Sequence, residues 1–451
     1  MNTQNNNLKS TTHKPLVAIV GRPNVGKSTF FNRVCGKRIS IVKNIPGVTR
    51  DRVYADAEWT GRVFTLIDTG GIGIKGDGEF DAEIIDQATV AIETADVIIF
   101  MVDGLEGILP ADFAVAKTLR ASKKPIILCV NKLDNNERDL TYDFYKLGLG
   151  EPSAISSEQA KGIGDLLDRV VELFPAFEDD GQLESGISIA VVGKPNVGKS
   201  SIINKMLGVE RVIVSPISGT TRDAIDTPFT HNEQQYTLID TAGLRRKRGI
   251  EDDSIERYGV LRSLSAIKRA DIVLVVFNAE EEISEQDVRI AGLVHEENKP
   301  SVIVMNKWDT VEKDGFTIEK YQKRLDVDLA FMDYYKSIYT SATSGKRIEK
   351  ILAIASEAYN NASRRITTGT LNDILSDAIS MNEPPTKNGR RLKIYYATQA
   401  RTNPPKFIIK VNDESLVHFS YKRYLENCIR KSVDFTGTPI QIIFQNKKAE
   451  E

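Results

Sequence analysis

The sequence predicts an α/β protein with two tandem doubly wound domains followed by a small α+β domain. The first observation is an internal repeat: residues 18–28 read Ala-Ile-Val-Gly-Arg-Pro-Asn-Val-Gly-Lys-Ser, and residues 190–200 match them at nine of eleven positions. The second is an alternation of apolar strand runs with helical patterns, which occurs twice along the chain. The third is a change in the sequence pattern near residue 365, after which the repeated stretch does not occur again.

The predicted strands are continuous β-branched or apolar runs, which is typical of parallel strands buried on both faces. They cover residues 16–20, 64–67, 97–102 and 126–130, then 187–192, 236–239, 272–277 and 302–305. Further along, helices are predicted over 371–379 and 421–429, and strands over 392–397, 407–411 and 439–444. The expected organisation is a disordered polar tail (1–14), a first domain (15–177), an acidic linker (178–186), a second domain (187–363) and a C-terminal domain (364–451).

The composition is that of a globular chain, with 41% hydrophobic and 27% charged residues. No apolar run approaches the ~20 residues that cross a bilayer, and the polar N-terminus lacks the apolar core of a signal peptide. We therefore expect a cytoplasmic protein with no membrane partner. The three scattered cysteines provide neither a disulfide framework nor metal-ligand spacing, and inert thiols are expected.

Charge is distributed unevenly along the chain. From residue 365 onward there are 14 Lys/Arg against 9 Asp/Glu, although the whole chain has a net charge of −2. A basic C-terminal domain on an acidic body indicates a polyanionic partner, and a merely solvated basic face is the alternative.

Each repeated stretch is a strand run, then G-x-x-x-x-G-K-S, then a helical pattern, which is the context of a phosphate-binding loop. The glycines let backbone N–H groups point at phosphate oxygens, and the helix N-terminus faces the same anion. The lysine reaches the β/γ-phosphates, and the serine hydroxyl ligates Mg²⁺. The predicted binding residues are Gly21, Arg22, Pro23, Asn24, Val25, Gly26, Lys27 and Ser28, with their copies Gly193, Lys194, Pro195, Asn196, Val197, Gly198, Lys199 and Ser200.

Two further motifs recur at the same offset of 172 residues. A D-x-x-G motif follows a strand run in each domain; its aspartate reaches the Mg²⁺ shell, and its glycine N–H contacts a γ-phosphate only in the triphosphate state. The motifs are Asp68, Thr69, Gly70 and Gly71, and Asp240, Thr241, Ala242 and Gly243. Thr49 and Thr221 are candidates to ligate Mg²⁺ and sense the γ-phosphate, with an ordinary turn before a strand as the alternative. The predicted Mg²⁺ ligands are thus Ser28, Thr49 and Asp68, and Ser200, Thr221 and Asp240.

An N-K-x-D motif ends a strand in each domain. A carboxylate that accepts two N–H bonds recognises guanine, whose N1–H and N2 amino group are both donors, whereas adenine would leave the carboxylate unpaired at a cost of about 1–3 kcal/mol. The sequence therefore predicts a preference for GTP. The asparagine can brace the base-binding loop, and the lysine stem can cover the base. The motifs are Asn131, Lys132, Leu133 and Asp134, and Asn306, Lys307, Trp308 and Asp309.

These motifs resemble the Era-like group of TRAFAC-class GTPases. Two such domains in tandem, followed by segments that begin at Gly389 and His418, resemble the Der (EngA) family. The resemblance implies two P-loop GTPase domains packed around a KH-like C-terminal domain, Mg²⁺-dependent GTP hydrolysis to GDP, and a role in assembling the large (50S) ribosomal subunit. Its partners would be that subunit and its rRNA, not DNA, and we expect a monomer. The resemblance also places backbone contacts to guanine at Ser156 and Ser157, and at Ser341 and Ala342.

The same resemblance bears on hydrolysis. Related switch GTPases place a water-orienting glutamine after the D-x-x-G glycine, but here the positions are the apolar Ile72 and Leu244. In relatives that share Pro-Asn-Val-Gly-Lys-Ser, the asparagine helps to hold K⁺ beside the phosphates, which carries over to Asn24 and Asn196. Slow basal hydrolysis that K⁺ stimulates is therefore implied. The predicted catalytic residues are Lys27, Thr49, Gly71, Lys199, Thr221 and Gly243.

Several alternatives stay open. The C-terminal domain lacks the Gly-x-x-Gly loop of typical KH domains, so it either packs against the GTPase domains or contacts RNA by charge and shape. The basic run 245–248 is either a solvated loop or a nucleotide-gated contact. A metabolic phosphotransferase would need an acceptor pocket and a general base, for which no motif is visible. A scaffold in which one domain holds nucleotide without turnover would carry nearly the same motifs.

Overall fold

The computed structural model describes residues 14–35, 54–69, 85, 88–89, 91–133, 138–174, 186–208, 212–214, 226–240, 254–387 and 389–447. The chain divides into two compact units, one of residues up to Gly181 together with Ile250–Lys268, the other of Gln182–Gly249 together with Arg269–Glu451. The predicted N-terminal tail lies outside the described residues except for Lys14, and the predicted linker lies outside them except for Gly186.

The first unit is built on a six-stranded sheet. Its strands are β1 (Leu16–Val20), β2 (Tyr54–Trp59), β3 (Arg62–Asp68), β4 (Val97–Asp103), β5 (Ile126–Asn131) and β6 (Ser153–Ala154). Their order is β2-β3-β1-β4-β5-β6, and all neighbours are parallel except the edge pair β2–β3. Its described helices include the α-helices Lys27–Cys35, Pro110–Arg120 and Ile163–Glu172 and a 3-10 helix (Arg138–Leu147). The unit also takes in the α-helix Ser254–Arg269 up to Lys268.

Alternate residues of the central strands bury against different helices. On β1, Leu16, Ala18 and Val20 belong to the core layer that includes the helix Pro110–Arg120. Val17 and Ile19 belong to the opposite layer, with residues of the helices Lys27–Cys35 and Ile163–Glu172. Because side chains alternate across a strand, a strand covered on both faces must be apolar at every position. This is the doubly wound arrangement that the continuous apolar runs predicted.

The second sheet repeats this plan with one more strand. It contains β7 (Ile187–Val192), β8 (Val212–Val214), β9 (Thr227–His231), β10 (Gln234–Leu238), β11 (Ile272–Asn278), β12 (Ser301–Asn306) and β13 (Lys336–Tyr339). The order is β13-β12-β11-β7-β10-β9-β8, with antiparallel pairing only at β8–β9 and β9–β10. The helices of the second unit that precede its C-terminal part are Lys199–Leu207, Glu285–Glu296, Thr317–Asp328 and Ile348–Ser363.

The C-terminal part is a smaller α+β fold, as predicted. A three-stranded sheet of β16 (Ile394–Arg401), β17 (Lys406–Val411) and β18 (Gln441–Asn446) follows a short hairpin of β14 (Thr386–Lys387) and β15 (Arg390–Arg391). The helices are Thr368–Met381 and Phe419–Ser432, with a 3-10 turn at Glu414–Leu416. Leu371, Leu425 and Phe407 meet in its core and are fully buried. A predicted strand over 392–397 is displaced: the observed strand begins at Ile394 and continues to Arg401.

The C-terminal fold is joined to the second sheet by buried backbone contacts. Ser301 N–H at the start of β12 donates to Gly437 O at 2.8 Å, and Gly437 N–H donates to Tyr334 O at 2.6 Å. Thr438 Oγ1 donates to Ala358 O at 2.8 Å. Buried backbone groups are costly to leave unpaired, so these bonds tie the two folds into one unit.

The three cysteines are free. Cys35 and Cys129 are buried, and burial raises the pKa of the Cys35 thiol to about 12. A thiol with so high a pKa is unreactive near neutral pH, which agrees with the interpretation of inert thiols. Among the described helices, none is both long and apolar enough to cross a membrane.

Candidate functional site

The repeated loop surrounds a lysine ammonium in each domain. Lys27 Nζ donates to Gly21 O at 2.5 Å and to Arg22 O at 2.6 Å. In the second domain, Lys199 Nζ donates to Gly193 O and Lys194 O, both at 2.7 Å. Each lysine is the first residue of its helix. The charge of the ammonium and the partial positive charge of the helix N-terminus therefore lie together, which suits a polyphosphate.

The second glycine of each loop has no room for a side chain. Gly26 has φ +99° and Gly198 has φ +97°, in the left-handed region that favours glycine. A Cβ atom at Gly26 would lie 2.2 Å from Asn131 Nδ2, and one at Gly198 would lie 2.2 Å from Asn306 Nδ2. The phosphate loop thus passes directly over the asparagine of the N-K-x-D motif.

This asparagine connects three of the predicted motifs. Asn131 Nδ2 donates to Val25 O at 2.8 Å, and Asn131 Oδ1 accepts from Ser157 N–H at 2.9 Å. The copy is nearly identical: Asn306 Nδ2 donates to Val197 O at 2.9 Å, and Asn306 Oδ1 accepts from Ala342 N–H at 3.1 Å. Both asparagines are buried, so each amide holds the phosphate loop and the base-binding loops in a set relation.

Two of the three predicted Mg²⁺ ligands of the first domain, Ser28 and Asp68, meet. Ser28 Oγ donates to Asp68 Oδ2 at 2.6 Å, at the point where β3 ends and the helix Lys27–Cys35 begins. A hydroxyl beside a carboxylate is the hard oxygen set that Mg²⁺ prefers, so these residues fit that ion. In the second domain, Asp240 N–H donates to Asp226 Oδ1 at 3.0 Å, and the other oxygen of Asp226 pairs with Arg269.

Part of the predicted site lies outside the described residues. These positions belong to the γ-phosphate-sensing segments and to the end of the first N-K-x-D motif. They are Thr49, Gly70, Gly71, Ile72, Asp134, Thr221, Thr241, Ala242, Gly243 and Leu244, together with the basic run 245–248.

The base-binding loops are held by main-chain bonds and ion pairs. Leu133 N–H donates to Ile155 O at 3.1 Å, and Trp308 N–H donates to Thr340 O at 2.9 Å. The lysine of each motif pairs with an acid. Lys132 Nζ lies 2.5 Å from Oδ2 of Asp103, the last residue of β4, and Lys307 Nζ lies 3.0 Å from Oε2 of Glu280, two residues after β11.

The aspartate of the second N-K-x-D motif is available as a carboxylate. A hydrogen bond from Ser341 lowers the pKa of Asp309, which is exposed. The charged form that accepts two N–H bonds from guanine is therefore the one present near neutral pH. Behind it, Trp308 packs against Tyr339 and Tyr321 with ring centroids 4.6 Å and 4.9 Å away, whereas the equivalent residue of the first domain is Leu133.

Sequence reasoning missed the acids that contact the first variable loop residue. Arg22 pairs with Glu106 and Asp112, and Lys194 pairs with Glu281 and Asp287. The two acid pairs are related by an offset of 175 residues rather than 172. A search for repeated acids that tolerated a small change of offset would have found them.

Family comparisons agree with this architecture. A family model described as "50S ribosome-binding GTPase" matches residues 16–132 and again 188–307. Residues 365–445 match a model described as "KH-domain-like of EngA bacterial GTPase enzymes, C-terminal". Among solved structures, Aquifex aeolicus Era bound to GDP.AlF4- is 20% identical, covers 58% of this chain and 92% of its own, and has a TM-score of 0.29.

Curated relatives match nearly the whole chain. GTPase Der of Clostridium botulinum (strain Langeland) is 55% identical over 436 residues, which is 96% of this chain and 99% of that protein. GTPase Der of Clostridium tetani is also 55% identical over the same shares of both chains. At this identity and coverage, the chain belongs to the GTPase Der family and is a GTP-hydrolysing enzyme with two GTPase domains and a KH-like C-terminal domain.

Proposed function

We propose that this GTPase is a Mg²⁺-dependent switch that acts in assembly of the large (50S) ribosomal subunit. The observation that carries the proposal is that both GTPase domains match a family whose description names the 50S ribosome. The basic C-terminal excess, 14 Lys/Arg against 9 Asp/Glu from residue 365, supports an rRNA partner because phosphate charge dominates such affinity. The proposal includes action as a monomer in the cytoplasm.

We assign the nucleotide sites to the repeated motifs within domains 15–177 and 187–363. Lys27 and Lys199 contact the phosphates, and Asp134 and Asp309 contact guanine. The backbone at residues 156–157 and 341–342 would lie beside the guanine carbonyl, held there by Asn131 and Asn306, whose Oδ1 atoms accept the N–H groups of Ser157 and Ala342. Mg²⁺ would be held by Ser28, Thr49 and Asp68, and by Ser200, Thr221 and Asp240. When bound, the ion neutralises charge on the β- and γ-phosphates. The short hydrogen bond between Ser28 and Asp68 supports this assignment for the first site.

Binding to the large subunit should depend on the nucleotide state. We expect the chain to co-sediment with large ribosomal subunits in the presence of a non-hydrolysable GTP analogue. With GDP, the fraction of the chain that co-sediments should differ. The physical reason is that the D-x-x-G glycine contacts a γ-phosphate only in the triphosphate state. Small subunits serve as the control for charge-driven binding. Failure to co-sediment in any nucleotide state would contradict a ribosomal role and leave GTP hydrolysis standing.

Hydrolysis should be faster in K⁺ than in Na⁺. The side chains of Ile72 and Leu244 cannot orient water, and Asn24 and Asn196 lie within the phosphate loops with φ of +65° and +64°. We expect at least about tenfold stimulation, a small part of the roughly 10³- to 10⁵-fold that an arginine finger supplies. The measurement is GTP turnover at equal ionic strength in KCl and NaCl. Asn24→Ala and Asn196→Ala should each remove part of the difference in rate between KCl and NaCl. Equal rates of the unchanged protein in the two salts would refute stimulation by K⁺.

A further inference from the structure

The first variable residue of each phosphate loop contacts acids outside the loop. Arg22 Nε lies 2.9 Å from Asp112 Oδ1, and Arg22 Nη1 lies 2.9 Å from Glu106 Oε2. We call Glu106 and Asp112 the first acid pair. In the second domain, Lys194 Nζ lies 2.7 Å from Glu281 Oε2 and 3.2 Å from Asp287 Oδ2; these two acids are the second acid pair. The same contact thus occurs twice in one chain with different residue types.

One acid of each pair is buried and held by a helix. Asp112 is 0% exposed and Asp287 is 2% exposed. Each occupies the third position of its helix and accepts a backbone N–H, from Leu109 at 2.9 Å and from Ser284 at 3.0 Å. Burial raises the pKa of the Asp112 carboxyl above its ordinary value. A buried carboxylate without a cation is costly, so removing Arg22 would leave Asp112 in an unfavourable state.

The same residues contact the phosphate-loop lysine through their backbone. Arg22 O accepts from Lys27 Nζ at 2.6 Å, and Lys194 O accepts from Lys199 Nζ at 2.7 Å. The side chain of Arg22 therefore points to the acid pair while its carbonyl holds the ammonium. Because one residue makes both contacts, the ion pairs of its side chain restrain the backbone whose carbonyl receives the ammonium.

We propose that Arg22 and Lys194 are positioning residues: their ion pairs with the acid pairs hold each phosphate loop, and with it Lys27 or Lys199, in the shape that binds the nucleotide β-phosphate. This inference rests on the nucleotide sites assigned under the proposed function. It gives Arg22 and Lys194 a role distinct from direct contact with GTP.

The two copies are not equally well paired. Asp112 uses Oδ1 for Arg22 and Oδ2 for Leu109 N–H. Asp287 uses Oδ2 for its contacts, and its Oδ1 finds no hydrogen-bond partner among the described residues; in the first copy the buried atom without such a partner is Arg22 Nη2. An arginine also presents several N–H groups in a rigid fork, whereas a lysine is a single point charge. The first loop should therefore depend more strongly on its ion pair than the second.

The test is nucleotide release from the first site of the full chain, with the second site silenced by Lys199→Ala. Arg22→Gln and Asp112→Asn should each speed GDP release on the order of 10- to 100-fold, as expected when a binding group is displaced. The double variant should be no worse than Arg22→Gln alone, because Arg22→Gln already removes the ion pairs with both Asp112 and Glu106. Arg22→Lys should retain most of the affinity. The matched control is Lys146→Gln, which breaks an exposed ion pair with Asp143 in the same domain.

A second readout separates positioning from loss of stability. The phosphate loop contacts the α- and β-phosphates, so its displacement should weaken GDP far more than GMP. Partial unfolding would weaken both ligands by the same factor. A shared factor, or GDP release within about twofold of the parent, would overturn the inference. Undiminished GDP binding by the Lys27→Ala/Lys199→Ala chain would instead overturn the assigned sites, and the inference with them.

Discussion

A Lys27→Ala chain should lose GTP hydrolysis at its first site while its second site continues to turn over, and Lys199→Ala should have the converse effect. Each ammonium lies at a helix N-terminus and contacts two loop carbonyls, where a β/γ-phosphate would receive its charge. Charge on the transferred phosphoryl group must be stabilised by such groups, and removing one donor typically costs about 10²- to 10³-fold in rate. The rate of GTP hydrolysis at the affected site should therefore fall close to that of the uncatalysed reaction.

Single-turnover hydrolysis of GTP by each variant and by the double variant measures this. The wild-type rate should be the sum of two separable phases, each lost with one lysine, and the double variant should have neither. Lys146→Ala, which removes an exposed lysine of the first domain, is the control. If one of the two variants hydrolyses GTP as fast as the wild type, the domain it alters holds nucleotide without turnover, and the two-site switch is wrong.

Changing Asp309 to asparagine should convert the second site from guanine to xanthine recognition. The carboxylate accepts from the N1–H and the N2 amino group of guanine, whereas asparagine offers one acceptor and one donor. Xanthine presents N1–H as a donor and O2 as an acceptor, so it matches the amide. The variant loses a hydrogen bond to a charged carboxylate, and the NH₂ group of its amide faces a donor of guanine. Together these changes should cost roughly 2–4 kcal/mol in GTP affinity, or about 30- to 1000-fold.

The measurement is competition of GTP, XTP and ATP for the second site in a chain whose first site is silenced by Lys27→Ala. Asp314→Asn is a matched control. A hydrogen bond from Lys320 lowers the pKa of Asp314 to about 2, so Asp314 is also a carboxylate near neutral pH. Its oxygens accept hydrogen bonds from Lys320, Thr317 and Phe316. That variant should keep its preference for GTP. Retained GTP selectivity in Asp309→Asn would show that guanine is recognised by other groups.

The central strands of both sheets could be predicted because their environment constrains every position. β1, β4 and β11 are buried along their whole length, so β1 is apolar throughout and β4 and β11 are apolar up to their last residue. The edge strands escaped prediction for the opposite reason. β2 reads Tyr-Ala-Asp-Ala-Glu-Trp and is half-exposed, so its sequence lacks such a run, and only pairing with β3 makes it a strand.

The site was predictable in its motifs but not in its connections. Each phosphate loop, D-x-x-G and N-K-x-D motif is short, because contiguous backbone must surround one phosphate or one base. The contact between Arg22 and Asp112 joins residues 90 positions apart, and that between Asn131 and Val25 joins residues 106 positions apart. Local spacing carries no signal for pairs that meet only when β1, β4 and β5 lie side by side.

The sequence by itself determined that the chain has two α/β phosphate-loop domains, that both favour guanine, and that a different basic fold follows them. These properties depend on local patterns: apolar runs, loop glycines and the acceptor oxygens of one carboxylate. The tertiary structure decided how the motifs support one another. It placed Asn131 and Asn306 under the loops and paired Arg22 and Lys194 with buried acids. Such contacts join distant segments of the chain, and only the packed sheet determines which side chains face each other there.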